Sequence, residues 1–386
     1  MIKRLKVVNL NGKITREFEF LPDLNILTGQ NGSGKTTLLK LIWFIISGNA
    51  QYVESEISFD EFELETDTFA VQVVREGKDV CAWRFKASGN AYAKLGDPLK
   101  SGVMTGLGEL DNWIFTHNAS TRISTAAGQL NAAVLSKKEA SIFFPTFRRI
   151  EGGFGIQKED AYGYSLDQGM YRVSQRLTNH RHRFVASIST RDIVSLLTRH
   201  YTDLSEVVNE DNRQLFREIK DTIDFPEPTQ SPPSPIQLSS SLQKIKQQVE
   251  THEERQDNVL KPFSALGGLV QRIFQHKSIK VTDHLSLGKT APSLGETSDA
   301  ISSDVLSAGE KQMLSFLAYN AFEVNAPIFI DEPEISLHAD WQRTIFDVLS
   351  AQGTGNQFIV ATHSPFIYTK YADKEIELDR KGNSGD

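Results

Sequence analysis

Residues 29–36 read Gly-Gln-Asn-Gly-Ser-Gly-Lys-Thr, filling every fixed position of the G-x-x-x-x-G-K-[ST] phosphate-loop pattern. Before it, Leu24-Asn25-Ile26-Leu27-Thr28 has the apolar content of a buried strand; after it, Thr37 to Phe44 has that of a helix. A strand, a glycine-rich turn and a helix in this order constrain the chain to an α/β fold, because such a loop works at the N-terminus of a helix that follows a strand. There the backbone N–H groups around Asn31, Gly32, Ser33, Gly34 and Thr37 close on a polyphosphate. Lys35 is placed to reach its β- and γ-phosphates, and the Thr36 hydroxyl to hold Mg2+. A plain Gly/Ser turn ahead of a core helix would explain the small residues but not the whole eight-position pattern.

The chain has 386 residues, long enough for two lobes or for one domain with a large insertion. Its formal charge of −7 leaves no global electrostatic footprint for nucleic acid, so any DNA contact has to be a local patch. The single Cys81 excludes an internal disulfide and a cysteine-rich metal site. Met1-Ile2-Lys3-Arg4 leads into alternating residues with no apolar signal segment, and the apolar run from Leu38 to Ile46 is too short to span a bilayer. The expectation is a soluble, cytoplasmic protein with no membrane partner.

Alternation over Leu5–Leu10 and Thr15–Phe20, then over Ile57–Leu64, Phe69–Arg75 and 80–86, predicts strands joined by tight turns, the later three as an antiparallel meander. Residues 87–137 carry little periodicity and read as loop and short helix. Ala140–Phe144 reads as a short apolar strand that stops at Pro145 and opens into Arg148 and Arg149. From about 165 to 280 the period becomes helical. One stripe runs from Ile193 through Leu197, Leu204, Val208 and Leu215 to Ile223, and a second from Leu238 through Ile245 and Phe263 to Phe274. The prolines of 225–236 part the two, which predicts a helical hairpin with arms of about 45 Å or, equally, two helices folded back on the domain. The boundaries drawn from the sequence are 1–160 for an N-terminal lobe, 161–280 for the helical insertion and 281–386 for a C-terminal lobe.

Three later motifs carry chemistry. Leu306-Ser307-Ala308-Gly309-Glu310-Lys311-Gln312 opens an apolar helix, where Ser307, Gly309 and Glu310 offer a hydroxyl, an unhindered N–H and a helix start. Taken alone, this is an N-cap. Pro327-Ile328-Phe329-Ile330-Asp331-Glu332 is a buried strand ending in adjacent acids, with Asp331 placed to hold Mg2+ through water and Glu332 to orient or deprotonate an attacking water. Gln357 to Thr362 is another apolar strand, and it delivers His363.

A phosphate loop, Leu-Ser-x-Gly-Glu, a strand ending Asp-Glu and a strand ending in His, in that order, resemble the ATP-binding-cassette (ABC) ATPases. The resemblance implies an α/β head, a mixed sheet around the loop helix plus an antiparallel β sub-lobe, with the long helical hairpin inserted. It further implies ATP and Mg2+ as cofactors and a head-to-tail homodimer or higher homo-oligomer, in which Ser307 and Gly309 of one subunit close on the γ-phosphate held by Lys35 of another. Glu332 then matches the catalytic base and His363 the switch histidine. Asp331 lies 296 residues after Lys35, which with Ser336-Leu337-His338 and Thr362-His363-Ser364-Pro365 resembles the SMC, RecF and OLD-like branch and the ATPase subunits of bacterial anti-phage defence. No glutamine stands in 144–149, where that family carries one; Gln72, Gln129 and Gln157 are the nearest in sequence. The 23 residues after His363 are too few for the nuclease domain of OLD proteins, so the expectation is a sensor and scaffold that controls a separate effector, a nuclease. The alternative is a DNA-repair or chromosome-maintenance ATPase that clamps DNA through Arg172, Arg176, His180, Arg181, His182 and Arg183. A transporter subunit leaves the insertion unexplained, and Leu306–Gln312 does not belong to an AAA+ motor.

Overall fold

The computed structural model describes residues 1–75, 81–87, 93–94, 126–146, 149–150, 166–188, 190–223, 235–274, 277–281, 285–289 and 306–379. The Pro-rich loop to residue 234, most of 87–125, most of the polar stretch 281–304, Arg148 and Gln157 lie outside them. Compact packing divides the chain into one unit of residues 1–189 and 307–386 and a second of residues 190–306.

The first unit is α/β. Strands β1 (Ile2–Leu10), β2 (Ile14–Glu19), β4 (Glu61–Thr66), β5 (Phe69–Arg75), β6 (Cys81–Ala87) and β7 (Ala93–Lys94) form an antiparallel sheet in the order β2-β1-β4-β5-β6-β7. A parallel sheet has the order β10-β8-β14-β15-β3-β16, from β3 (Leu24–Thr28), β8 (Ser141–Phe144), β10 (His182–Phe184), β14 (Pro327–Asp331), β15 (Gln357–Ala361) and β16 (Glu375–Glu377). All its described pairings are parallel, so the mixed character expected of the head lies between the two sheets rather than within one.

The helix after the phosphate loop, α1 (Lys35–Ile46), is apolar on nearly every side, the mark of a helix buried all round. It packs on β8, β14 and β15 and shares one core with the antiparallel sheet through Phe18, Phe62 and Trp83. Beside it lie α2 (Gln51–Glu56) and α3 (Ala126–Leu135), while α4 (Leu166–Leu177) packs on β10. Strand alternation uses both faces of the parallel sheet. Phe143 faces Trp43 of α1 at 5.3 Å between ring centroids. Phe144 meets Phe316 edge-on at 4.9 Å, across to the helix Ala308–Phe322.

The segment 166–188 holds a helix and two short strands, where the sequence suggested helices throughout. β10 adds itself to the sheet edge beside β8, and β11 (Ser187–Ile188) pairs with β9 (Arg149–Ile150). That pairing is why the compact unit extends to 189 rather than to the sequence boundary at 160. His182 of β10 is buried, bonded through Nδ1 to the Ser141 hydroxyl at 2.9 Å, and burial pushes its pKa down to about 4. It is therefore no part of an exposed cationic patch.

The His182 shift has a direct consequence for acid stability. In the unfolded chain this imidazole takes a proton near its ordinary pKa of 6.5, whereas in the fold it stays neutral to about 4. The fold keeps this contribution in full above pH 6.5 and loses it as pH falls from there towards 4, by about 3 kcal/mol in all. Melting curves taken across that window should flatten for His182→Gln relative to the unsubstituted chain. Equal slopes would show that His182 does not govern the acid limb.

In the second unit α5 (Thr190–Ile223) and α6 (Pro235–Phe274) pack on each other, and β12 (Lys277–Val281) pairs antiparallel with β13 (Leu285–Lys289). Pro235 opens α6, where a missing N–H costs nothing. The helix pair is antiparallel: Tyr201 meets Phe263 edge-on at 5.7 Å, while farther along Asn212 accepts from Gln256 at 2.8 Å and bonds His252 Nε2 at 2.9 Å. The two predicted stripes bury Ile193, Leu197 and Phe263 but leave Ile223 exposed. The hairpin β12–β13 was missed; Ile279 and Val281 against Leu285 and Leu287 give the alternation that signals it.

Candidate nucleotide site and the family of the chain

β3 delivers the loop and α1 begins at Lys35. Gly34 has φ +96°, a left-handed conformation open to glycine, and a Cβ there would stand 2.9 Å from Ile14 Cδ1. The Lys35 ammonium donates to the carbonyls of Gly29 at 2.9 Å and Gln30 at 3.0 Å and to Ser33 Oγ at 3.4 Å. Burial lowers its pKa, against the acids Asp379, Asp331, Glu332 and Glu334 that raise it. The turn between β1 and β2 supports the loop from outside, with Lys13 donating to the Gly32 carbonyl at 3.2 Å and Asn11 to the Thr37 hydroxyl at 2.9 Å. The Asp379 carboxylate accepts from the Gln30 N–H. Asn31 and Gly32 are exposed at the loop crest.

Strand order explains how residues so distant in sequence meet. β15 lies between β3 and β14, and all three run parallel, so the loop, the acids and His363 emerge from the same sheet edge. The Thr36 hydroxyl donates to Asp331 Oδ2 at 2.9 Å and Oδ1 at 3.1 Å. The Thr146 hydroxyl, just past β8, donates to Oδ2 as well. Asp331 is 1% exposed, and a buried carboxylate with two hydroxyls is a set of hard oxygen donors that fits Mg2+. Among the described residues no group of three or more His, Cys, Asp and Glu side chains is placed to hold a metal. The fit is thus of the kind in which nucleotide phosphates and water complete the shell.

Glu332 follows with φ +51° and its N–H on the Ala361 carbonyl at 2.8 Å. Its pKa is raised by burial first, then by the Asp331 and Glu334 charges, with His363 and Lys35 opposing. Glu334 latches the neighbouring strand end, accepting from the His363 N–H at 2.7 Å and from the Thr362 hydroxyl at 2.8 Å. The His363 residue is exposed. Sequence reasoning did not single out Thr146, Glu334 or Asp379. A proline-threonine stop after an apolar strand is a signal for the first, and a third acid after Asp-Glu for the second.

Ser307, Gly309 and Glu310 form a second element, at the start of α7 (Ala308–Phe322). Ser307 Oγ accepts from the Glu310 N–H at 3.2 Å and Glu310 Oε2 from the Ser307 N–H at 2.7 Å, a complete capping box. Both residues therefore serve the helix start in this chain. Gln312 donates to the Pro333 carbonyl at 2.8 Å, tying α7 to the turn after Glu332. That turn leads into α8 (Ala339–Ser350), and α9 (Pro365–Tyr368) follows His363.

The other candidates fall elsewhere. Gln72 bonds Glu61 and Arg84 on the antiparallel sheet. In the proposed DNA patch, Arg181 and Arg183 pair with the buried Glu323 at 3.1 and 3.7 Å, and Arg176 donates to the Tyr52 hydroxyl at 2.6 Å. Only part of that patch is thus open surface charge. No helix among the described residues is long and apolar enough to cross a membrane.

Comparison with known proteins adds three findings. The retron Vc95 probable ATPase of Vibrio cholerae serotype O1 biovar El Tor is 22% identical over 92% of this chain and 68% of its own length. Two Smc head structures align with low overall superposition. One is a SmcHead bound to the C-winged helix domain of ScpA, with TM-score 0.44 and 11% identity over 96% of this chain and 92% of the other. The second is an Smc head with an extended coiled coil bound to the C-terminal domain of ScpA from Pyrococcus furiosus, with TM-score 0.36 and 14% identity over 96% and 91%. A family model matches residues 149–368, more than half the chain, a span that takes in Ser307, Asp331, Glu332 and His363. On that match the chain belongs to the ATPase family described as "AAA domain, putative AbiEii toxin, Type IV TA system".

Proposed function

We propose that this chain binds and hydrolyses ATP with Mg2+, that two copies close head to tail around the nucleotide, and that this cycle makes it the sensor and scaffold for a separate effector, a nuclease, in anti-phage defence. The observation that carries the ATPase part is the convergence of Thr36, Thr146 and Asp331 beside the Lys35 loop, with Glu332 next in the chain. The similarity to a retron ATPase supports the defence setting. In the proposed cycle the loop N–H groups and Lys35 hold the phosphates, and Lys35 exchanges the carbonyls of Gly29 and Gln30 for phosphate oxygens. Mg2+, when bound, neutralises charge on the β- and γ-phosphate oxygens. Glu332, kept basic by its raised pKa, takes a proton from the attacking water, and His363, its N–H held by Glu334, orients the γ-phosphate end. Ser307 and Gly309, fixed by the capping box, face the nucleotide of the second copy.

The mass of the chain in solution, with and without ATP and Mg2+, tests this. ATP with Mg2+ should double the mass, and Lys35→Ala should abolish both the doubling and nucleotide binding. Full affinity in Lys35→Ala would refute the loop assignment. A large assembly indifferent to ATP would refute nucleotide-driven closure. Strong, salt-dependent DNA binding by the chain alone would favour the clamp reading instead.

A further inference from the structure

The segment after β8 places a side chain where the phosphate-loop pattern asks for none. β8 and β14 run parallel, with Ile142 beside Ile328, Phe143 beside Phe329 and Phe144 beside Ile330. One step further along this register brings Pro145 level with Asp331. Proline has no N–H to continue the ladder, so pairing stops there. The chain turns, and the Thr146 hydroxyl falls on Asp331 Oδ2. From the start of α1, the Thr36 hydroxyl donates to the same oxygen at 2.9 Å. Two hydroxyl oxygens bound to one carboxylate oxygen are near neighbours of each other, so α1, β8 and β14 together present a compact array of three oxygens.

Each hydroxyl that donates its proton to Asp331 keeps lone pairs free for a cation. Thr36 is assigned to Mg2+ by its place in the loop pattern. Thr146 has the same group, on the same carboxylate oxygen, from an independent element. It also stands in the very stretch, 144–149, in which the ABC resemblance leads one to look for a glutamine and the sequence has none. Resting on the ATPase reading above, we propose that Thr146 belongs to the divalent-cation site and supplies a hydroxyl oxygen directly to the cation that Thr36 and Asp331 hold. The chain thereby replaces a long amide side chain by a short hydroxyl on a proline-stopped strand.

A merely structural Thr146 would serve Asp331 only as a hydrogen-bond donor, since a buried carboxylate needs donors in any state. The two roles differ in their link to the cation. ATP affinity, measured by equilibrium binding in excess Mg2+ and again in EDTA, gives a ratio that reports that link without reference to turnover. Thr146→Ser should keep the ratio, because the hydroxyl stays. Thr146→Val, close in shape, should lower it roughly 10-fold while affinity in EDTA is unchanged, a loss that an outer donor to Asp331 also gives. Thr146→Cys should lower it likewise with Mg2+ and recover with the sulfur-preferring Cd2+, and a lack of recovery would leave Thr146 a donor to Asp331 and overturn the proposal. An unchanged ratio in Thr146→Val overturns the proposal. So does a lowered melting temperature without nucleotide joined to an unchanged ratio, which would leave the hydroxyl a structural donor. If the unsubstituted chain binds ATP with no dependence on Mg2+, the parent reading fails first and this one with it.

Discussion

Glu332→Gln should cut ATP turnover by roughly 10²- to 10⁴-fold while leaving ATP affinity near that of the unsubstituted chain. The substitution keeps shape and size, so the backbone at φ +51° and the N–H bond to Ala361 persist, and only the basic oxygen is lost. Phosphate release under saturating ATP gives the first quantity and equilibrium binding the second. The raised pKa adds a pH signature. A base acts only when deprotonated, so the rate should fall as pH drops through a value above the ordinary carboxylate range near 4.3. The Glu334 charge helps to hold that value up, and Glu334→Gln should therefore move the acid limb to lower pH. Unchanged turnover in Glu332→Gln would remove this residue from the role of base.

The largest loss of stability should come from Phe143→Ala. Phe143 is fully buried, stacked on Phe184 at 5.5 Å and on Phe329 at 6.1 Å, with Trp43 tilted against it at 5.3 Å. One ring thus joins the edge strand β10, the acid-bearing strand β14 and the loop helix α1. Truncation removes the transfer free energy of the ring and leaves a cavity among large aromatic neighbours that cannot collapse into it, a cost of about 3–5 kcal/mol. Urea unfolding followed by tryptophan emission measures it, since Trp43 sits beside the lost ring. Phe216→Ala is the control: that side chain is 71% exposed, and its removal should change the unfolding free energy by no more than about 0.5 kcal/mol. A Phe143→Ala chain as stable as this control would contradict the packing described.

The parts of the fold that depend on local chemistry were legible in the sequence. The loop pattern, the apolar runs of β14 and β15 and the helical period of α5 and α6 each carry their own signal over a handful of residues. The capping box at Ser307 and Glu310 is likewise written in four consecutive positions. What failed to show depends on pairing between distant segments. His182 reads as one cation among several, and only the pairing of β10 with β8 buries it beside Ser141. Thr146 and Asp379 are ordinary polar residues until strand register and the chain's return bring them to Asp331 and Gln30. The pairing of β9 with β11 was hidden for the same reason: strands of two residues carry no period.

Gly309 is held in place by its own subunit. A Cβ at this position would stand 2.4 Å from the Ser336 carbonyl oxygen, in the backbone turn that leads away from Glu332. The identity of the residue is thus decided by a fit inside one chain. A methyl group added there has to displace the turn, and the acids ride on that turn. Loss of activity on enlarging this glycine would consequently report displaced acids in the same molecule as readily as a failure of the proposed closure between two copies. Ser307 is bound to its own chain in the same way through the capping box with Glu310, so a substitution at either position of this short motif first tests the single molecule.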